Sequence, residues 1–539
     1  MINRFIITFF ITLNVYFLGA QGILQNQNIS ALRWRGIGPA IASGRISDFA
    51  FNPNNNSEYY VAVASGGVWK TTNKGTTFSP IFDGEGSYSI GCVTVDNMNT
   101  SVVWVGTGEN NNQRSVAYGD GVYKSDDAGK TWKNMGLKNS EHIAEIAIDP
   151  TNSNTVYVAA YGPLWKEDGD RGVFKSTDGG VTWKNIKTVS QYTGCNDIVI
   201  DPKNPRIIYA AFHQRMRKVY TYIGGGPESA LFKSTDGGET WSKLTGGLPS
   251  GDLGRLGLAM SPLNSAYLYT VVEAKDDKGG IYRSTDAGNS WNKMSGFFTS
   301  GNYYQEIYCD PHDINKIYIS DTYFKVSYDG GKTVSNLGEI NKHIDNHAIW
   351  IDPKDPKHLL VGCDGGIYET YDHAKTWDFK SNLSVTQFYK VSTDNAYPFY
   401  NVHGGTQDNC SFGGPSRTFA INGILNSDWY VSSTGDGFES QVDPTDPNII
   451  YAQSQYGGLN RYDHSSGEYL PIKPIESMQD DAYRWNWDSP LLISQHNHKR
   501  LYFGSNRLFR TDDQGNSWTT ISPDLSRQVD RNKFEVMNK

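Results

Sequence analysis

One unit recurs along this chain and constrains it more than any other feature. Its first half is a short apolar strand, an Asp-Pro-x-Asn/Asp-Pro segment and a second apolar strand. Copies begin at Ile146 (IAIDPTNSNTVYVAA), Ile198 (IVIDPKNPRIIYAAF), Ile349 (IWIDPKDPKHLLVGC) and Gln441 (QVDPTDPNIIYAQS). The second half reads Gly-apolar-aromatic-Lys-Ser-x-Asp-x-Gly-x-Thr-Trp. Clear copies carry Asp127, Asp178, Asp236 and Asp286; weaker ones carry Asn73, Asp329, Asp372 (with Ala374 in place of the glycine) and Asp513. Proline presets φ and Asp/Asn bond to nearby backbone, so the first half is two strands around a turn. In the second half Ser and Asp bond to turn backbone, the glycine takes a positive φ and the tryptophan packs back on the sheet. Each unit therefore predicts a four-stranded antiparallel sheet. Such sheets cannot bury both faces alone, and repeated ones stack radially as blades. The expected class is all-β, a β-propeller.

Composition agrees. The 539 residues include 56 glycines and 33 tyrosines, which suits short strands and tight turns. A net charge of −8 without basic blocks argues against nucleic acid or an anionic membrane as partner. Residues 1–20 read as a secretory signal peptide: Arg4, an apolar run from Phe5 to Leu18 and small residues ending at Ala20. No later segment is apolar enough to span a bilayer. Five scattered cysteines are an odd count without metal-like spacing, and they read as buried thiols. No Walker, Rossmann, zinc or nucleophile-elbow motif is present, so no nucleotide and no cofactor is expected.

Seven of the Asp-bearing turns lie between Asn73 and Asp372; the next is at Asp513. Two blade-like stretches, around Val391–Ser416 and Gln441–Tyr469, fill the gap. The expected organisation is a seven-bladed ring over 21–384 and about three blades of a second, incomplete propeller over 385–539, with its further blades beyond Lys539. One ten-bladed ring is the alternative.

Candidate binding residues are polar groups that turns and cores do not explain. His343, Asp345 and His347 precede an inner strand at a spacing that suits a metal, acid–base work or a satisfied polar loop. Glu109, Asn110 and Arg114 occupy a long polar loop. Asp364 and Asp436 lie in Gly-rich inner turns, Gln407 and Asp408 in GGTQDN. Trp485 and Trp487 form an aromatic stretch suited to stacking on sugars or to packing between blades.

The repeat resembles the Asp-box (BNR) propellers: sialidases, xyloglucanase-type glycoside hydrolases and the sortilin luminal domain. RGIGPAIASGR (35–45), DNHAIWIDP (345–353), QFYKVSTDN (387–395) and GGTQDN (404–409) resemble segments of exported bacterial proteins with tandem propellers. The resemblance implies an exported protein, periplasmic or extracellular, with a ligand at the channel mouth or between two rings. Xyloglucanases of this kind use one Asp from each ring. The first ring's Thr-Asp-Val-Gly-Gly segment reads Val63-Ala64-Ser65-Gly66-Gly67 here, so Ala64 stands where the carboxylate is expected. The second matches Asp436, which leaves Asp364 or Glu109 to complete a catalytic pair. A sialidase needs an arginine triad and a Phe-Arg-Ile-Pro segment; the latter is absent, and nothing groups Arg35, Arg45 and Arg114. The expected function is binding of a glycan, peptide or protein ligand. A xyloglucanase-type hydrolase with an altered catalytic pair and a structural scaffold are the alternatives.

Overall fold

The computed structural model describes residues 34–114, 116–478 and 481–535. The signal-peptide reading of residues 1–20 lies outside them. Gly38–Lys539 form one compact unit.

Its described residues make ten four-stranded sheets, each antiparallel and each formed from consecutive strands apart from one inserted hairpin. Sheet 1 consists of Ile46–Phe51, Tyr59–Val63, Gly67–Thr71 and Ser79–Pro80. The others occupy residues 90–136, 143–187, 193–243, 253–295, 307–336, 346–379, 388–433, 440–471 and 491–520. The hairpin, Met216–Lys218 with Thr221–Ile223, branches from sheet 4. This is the β-propeller architecture that the repeat predicts.

The repeat's chemistry explains each sheet. In sheet 2 Ser125 Oγ bonds Asp127 (2.8 Å) and accepts the Gly129 amide (2.8 Å). Asp127 accepts the Thr131 amide at 2.8 Å. Gly129 sits at φ 85°, a left-handed conformation that favours glycine. The same bonds recur at Asp178, Asp236, Asp286, Asp329 and Asp513. In several turns the tryptophan reaches the preceding sheet: Trp132 Nε1 donates to Ile81 O, Trp183 to Met135 O and Trp518 to Ile472 O. The turn thus fixes its hairpin and staples neighbouring sheets together.

The core lies between sheets. Seven apolar clusters fill the interfaces from sheet 1 to sheet 7, and the last of them joins sheet 7 to sheet 1. In that last cluster Leu360 and Ile367 pack with Ile46, Val61 and Val63. Two further clusters join sheets 8 to 9 and 9 to 10.

Candidate functional site

Arg45 immediately precedes the first strand and is 3% exposed. Its guanidinium gathers carboxylates from three distant sheets. Nη1 donates to Glu109 Oε2 at 2.8 Å, Nε to Asp364 Oδ1 at 2.7 Å, and Nη2 to Asp408 Oδ2 at 3.3 Å and to the Tyr303 hydroxyl. Glu109 follows the strand Val103–Thr107 of sheet 2, Asp364 lies between two strands of sheet 7, and Asp408 between two strands of sheet 8. Asp408 sits at φ 61°, which aspartate tolerates better than most residues.

Their surroundings set these groups apart. The Glu109 and Asp364 side chains are 1% exposed, whereas that of Asp408 is 27% exposed. Burial would raise the Asp364 carboxyl, but Arg45 and His347 together hold it well below the usual carboxylate range. His347 Nε2 lies 2.9 Å from Asp364 Oδ1, close enough to pair electrostatically but without the alignment of a hydrogen bond. Burial first, and then the Asp364 charge, push Asp408 well above the usual range. Burial also keeps the Tyr303 hydroxyl protonated. One buried cation thus faces three carboxyls, and Asp408, the most exposed of them, keeps a proton more readily than Asp364.

Asp408 opens into a cleft of about 720 Å³. Sheets 1–7 and their loops contribute Gln113, Arg114, Trp165, Val219 and Tyr303 to its lining; sheets 8–10 and their loops contribute Gln407, Asp408, Asp436, Gln455 and Trp487 among others. The Arg114 guanidinium stands 5.3 Å from the Trp487 ring centroid. Trp487 meets Tyr456 edge-on at 4.9 Å and Phe438 at 6.4 Å. Asp436 accepts the backbone amide of Asp408, so both carboxyls occupy one end of the cleft.

The structure therefore brings Arg114, Gln407, Asp408, Asp436 and Trp487 to one cleft. It places other sequence candidates elsewhere. Glu109 and Asp364 lie behind Asp408 without lining the cleft, because Arg45 holds them inside. Trp485 turns inward, 4.9 Å from Phe503 and 5.7 Å from Phe509, and packs between blades. Asn110 lines the central cavity of sheets 1–7 instead. His343 Nδ1 bonds Ile344 O at 2.7 Å, Asp345 pairs with the Tyr304 hydroxyl, and His347 lies on Asp364. Among the described residues no group of three or more His, Cys, Asp or Glu side chains has the geometry to hold a metal. Sequence reasoning missed the grouping role of Arg45, and it missed Tyr303 and Trp165. The available signal was that Arg45 occupies a position filled by Ser89 and His142 before the next two inner strands.

The chain is similar to several known proteins. A family model, sortilin (neurotensin receptor 3), matches residues 120–250. The xyloglucanase of Hypocrea jecorina is 22% identical over 246 residues, 40% of this chain and 28% of that enzyme. A Paenibacillus xyloglucanase is 22% identical over 221 residues, 36% of this chain and 20% of that enzyme. The matched stretches span less than a third of either relative. The GH74 xyloglucanase of Xanthomonas campestris superposes with a TM-score of 0.56 at 15% identity, covering 90% of this chain and 81% of that one. An ancestral GH74 enzyme gives 0.50 at 17% identity, covering 91% and 78%. The chain is a β-propeller similar to the xyloglucanases and, over residues 120–250, to sortilin.

Proposed function

We propose that the protein is an exported propeller that binds a glycan, of the β-glucan class, in the cleft between its first seven sheets and its last three. The carrying observation is the lining of that cleft: Trp487, Trp165 and Tyr389 beside Gln113, Gln407, Gln455 and Asn486. Aromatic faces stack on sugar rings, and amides and carboxylates bond to their hydroxyls. Export rests on the leader-like residues 1–20, and the glycan class is supported by the relatives named xyloglucanases. In the same reading the recurring turns are Asp-boxes. Residues 21–384 hold a seven-bladed ring, a division supported by the apolar cluster between sheets 7 and 1, and 385–539 hold the opening blades of a second.

A hydrolytic reading is favoured by one observation. Asp408, pushed upward in pKa, shares the cleft with Asp436, and a glycosidase acid must hold its proton near neutral pH. Native electrophoresis through gels containing xyloglucan or mixed-linkage β-glucan tests the binding reading, with reducing-end release measured in parallel. Retardation lost in Trp487→Ala supports it. No retardation by the unsubstituted protein on any β-glucan rejects it. Release abolished by Asp436→Asn would establish hydrolysis.

A further inference from the structure

The central cavity of sheets 1–7 carries a pattern of its own. Six of the seven inner strands bulge, those of sheets 1–5 and 7, and every inner strand has one residue just before an apolar position that packs between sheets. In sheets 1, 2, 4 and 7 these residues are Asp48, Cys92, Asp197 and Ala348, opposite Ala62, Gly106, Ala211 and Gly362 in the neighbouring strand. The corresponding residue is Glu145 in sheet 3, opposite Ala159, and Gly257 in sheet 5, opposite Val271. In sheet 6 it is Glu306, whose carbonyl takes the Ser320 amide. Four of the seven inner strands therefore bring a carboxyl to one level of a cavity of about 460 Å³.

The lining offers one cation in return. Arg255 bonds Glu306 Oε1 at 2.6 Å. Asp48 takes the amides of Phe49 (2.7 Å) and Val93 (2.9 Å), and Asp197 takes that of Leu258 (2.8 Å), so these two also staple adjacent sheets. Glu145 feels Asp48, Asp197 and Glu306 at once. A second observation points to a ligand. Asn196, 6% exposed and part of the cavity's lining, donates to Leu256 O at 2.8 Å, while its Oδ1 is left without a protein partner. An acceptor left over beside four carboxyls calls for a donor that carries positive charge.

The chemistry of that donor follows from the walls. No three acidic groups converge as metal ligands among the described residues, so one small ion does not answer the belt. Towards one end the cavity shares Ile198, Val199 and Met260 with a second cavity of about 370 Å³, which Ile146, Ile148 and Ile200 make apolar. We infer that this channel is a binding site for a primary ammonium on an unbranched aliphatic chain, with the nitrogen at the carboxyl belt and the methylenes along the isoleucines. A free aliphatic amine and a lysine side chain share this chemistry.

Isothermal titration calorimetry on the full chain at pH 8 tests it, with hexylamine, hexanol, calcium chloride and Nα-acetyl-lysine amide as probes. Hexylamine should bind, and Glu145→Gln should weaken it at least tenfold. Trp487→Ala in the cleft should leave it unchanged. Binding by acetyl-lysine amide identifies a lysine side chain as the source; binding by hexylamine alone identifies a free amine. Hexanol binding as well as hexylamine, calcium binding in place of the amine, or no heat from either amine overturns the inference. The amine–alcohol comparison uses the unsubstituted protein, so it decides the matter even if Glu145→Gln does not fold.

Discussion

Sheets 1–7 and sheets 8–10 are built from the same repeat, yet they are buried differently. Each of the first seven has an apolar cluster on both sides, and central strands such as Val156–Ala160 and Leu359–Cys363 are buried at every residue. In sheets 8 and 10 the inner strands are half covered: Val391 of sheet 8 is 59% exposed and Leu492 of sheet 10 is 57% exposed. The contrast shows that a blade does not complete its own core. Its local turns and pairings form regardless of neighbours, and its burial comes from them.

Arg45 joins the two regions, and removing it should have the largest effect. Arg45→Ala leaves Glu109 and Asp364 as uncompensated buried charges, a loss of about 3–5 kcal/mol. Urea unfolding measures the loss, and hydrogen exchange should quicken over residues 401–415 as the link to Asp408 goes. A loss below about 1 kcal/mol would mean that the two regions are held together by other contacts.

Equivalent core truncations should separate the regions next. Leu268 in sheet 5 and Leu501 in sheet 10 are both fully buried. Cutting either to alanine costs about 3 kcal/mol at its own site. Leu501→Ala should lower only an early calorimetric transition, that of the three-sheet arc, and Leu268→Ala only the later one. A single transition shifted equally by both would dissolve the distinction.

The fold was legible because the Asp-Pro and Ser-x-Asp-x-Gly turns sit at fixed spacings and each dictates a backbone conformation. The site was legible in part. Asp364, Asp408 and Asp436 stand out singly as carboxylates in Gly-rich turns, but Asp364 and Asp408 meet on Arg45 from 319 and 363 residues away, and that meeting depends on the packing of sheet 1 against sheet 7 and of sheet 8 beside both. Trp485 and Trp487 could not be told apart because they lie in a segment without strand structure, where alternation does not decide which ring faces inward. Arg45 follows a stretch of small residues and announces nothing locally; its partners give it meaning.

The acidic belt supplies a difference in pH response. Burial pushes Asp48 and Asp197 up to about 7. A carboxyl raised on folding binds a proton that the unfolded chain has lost between about pH 4 and 7, so it lowers stability as pH rises through that window. In sheet 9 the shift has the opposite sign: although burial opposes it, the His498 bond holds Asp443 below its ordinary value, so its contribution is present at neutral pH and lost as pH falls below about 4. From pH 5 to pH 8 the transition of the first seven sheets should therefore fall, and Asp408 of sheet 8, raised in the same way, adds a fall of its own in the arc. Asp197→Asn, which keeps an acceptor for the Leu258 amide, should flatten the trend. A trend unchanged in that variant would remove the belt as its cause.

The smallest expected effects concern the turn that both regions share. A methyl group at Gly129 would come 2.6 Å from Ile81 Cδ1, and one at Gly515 would come 2.5 Å from Ile472 Cδ1, both at positive φ. Each alanine substitution should cost about 1–2 kcal/mol from left-handed strain alone, Gly129→Ala in the transition of the first seven sheets and Gly515→Ala in that of the arc. Sheet 7 provides the control, since Ala374 already occupies this position at φ 63° and is 4% exposed. Ala374→Gly relieves about 1 kcal/mol of strain and forfeits about 0.8 kcal/mol of buried methyl. Its urea midpoint should therefore stay close to that of the unsubstituted protein. A midpoint lowered as far as in Gly129→Ala would show that packing against the preceding sheet, rather than backbone conformation, governs the residue at this turn.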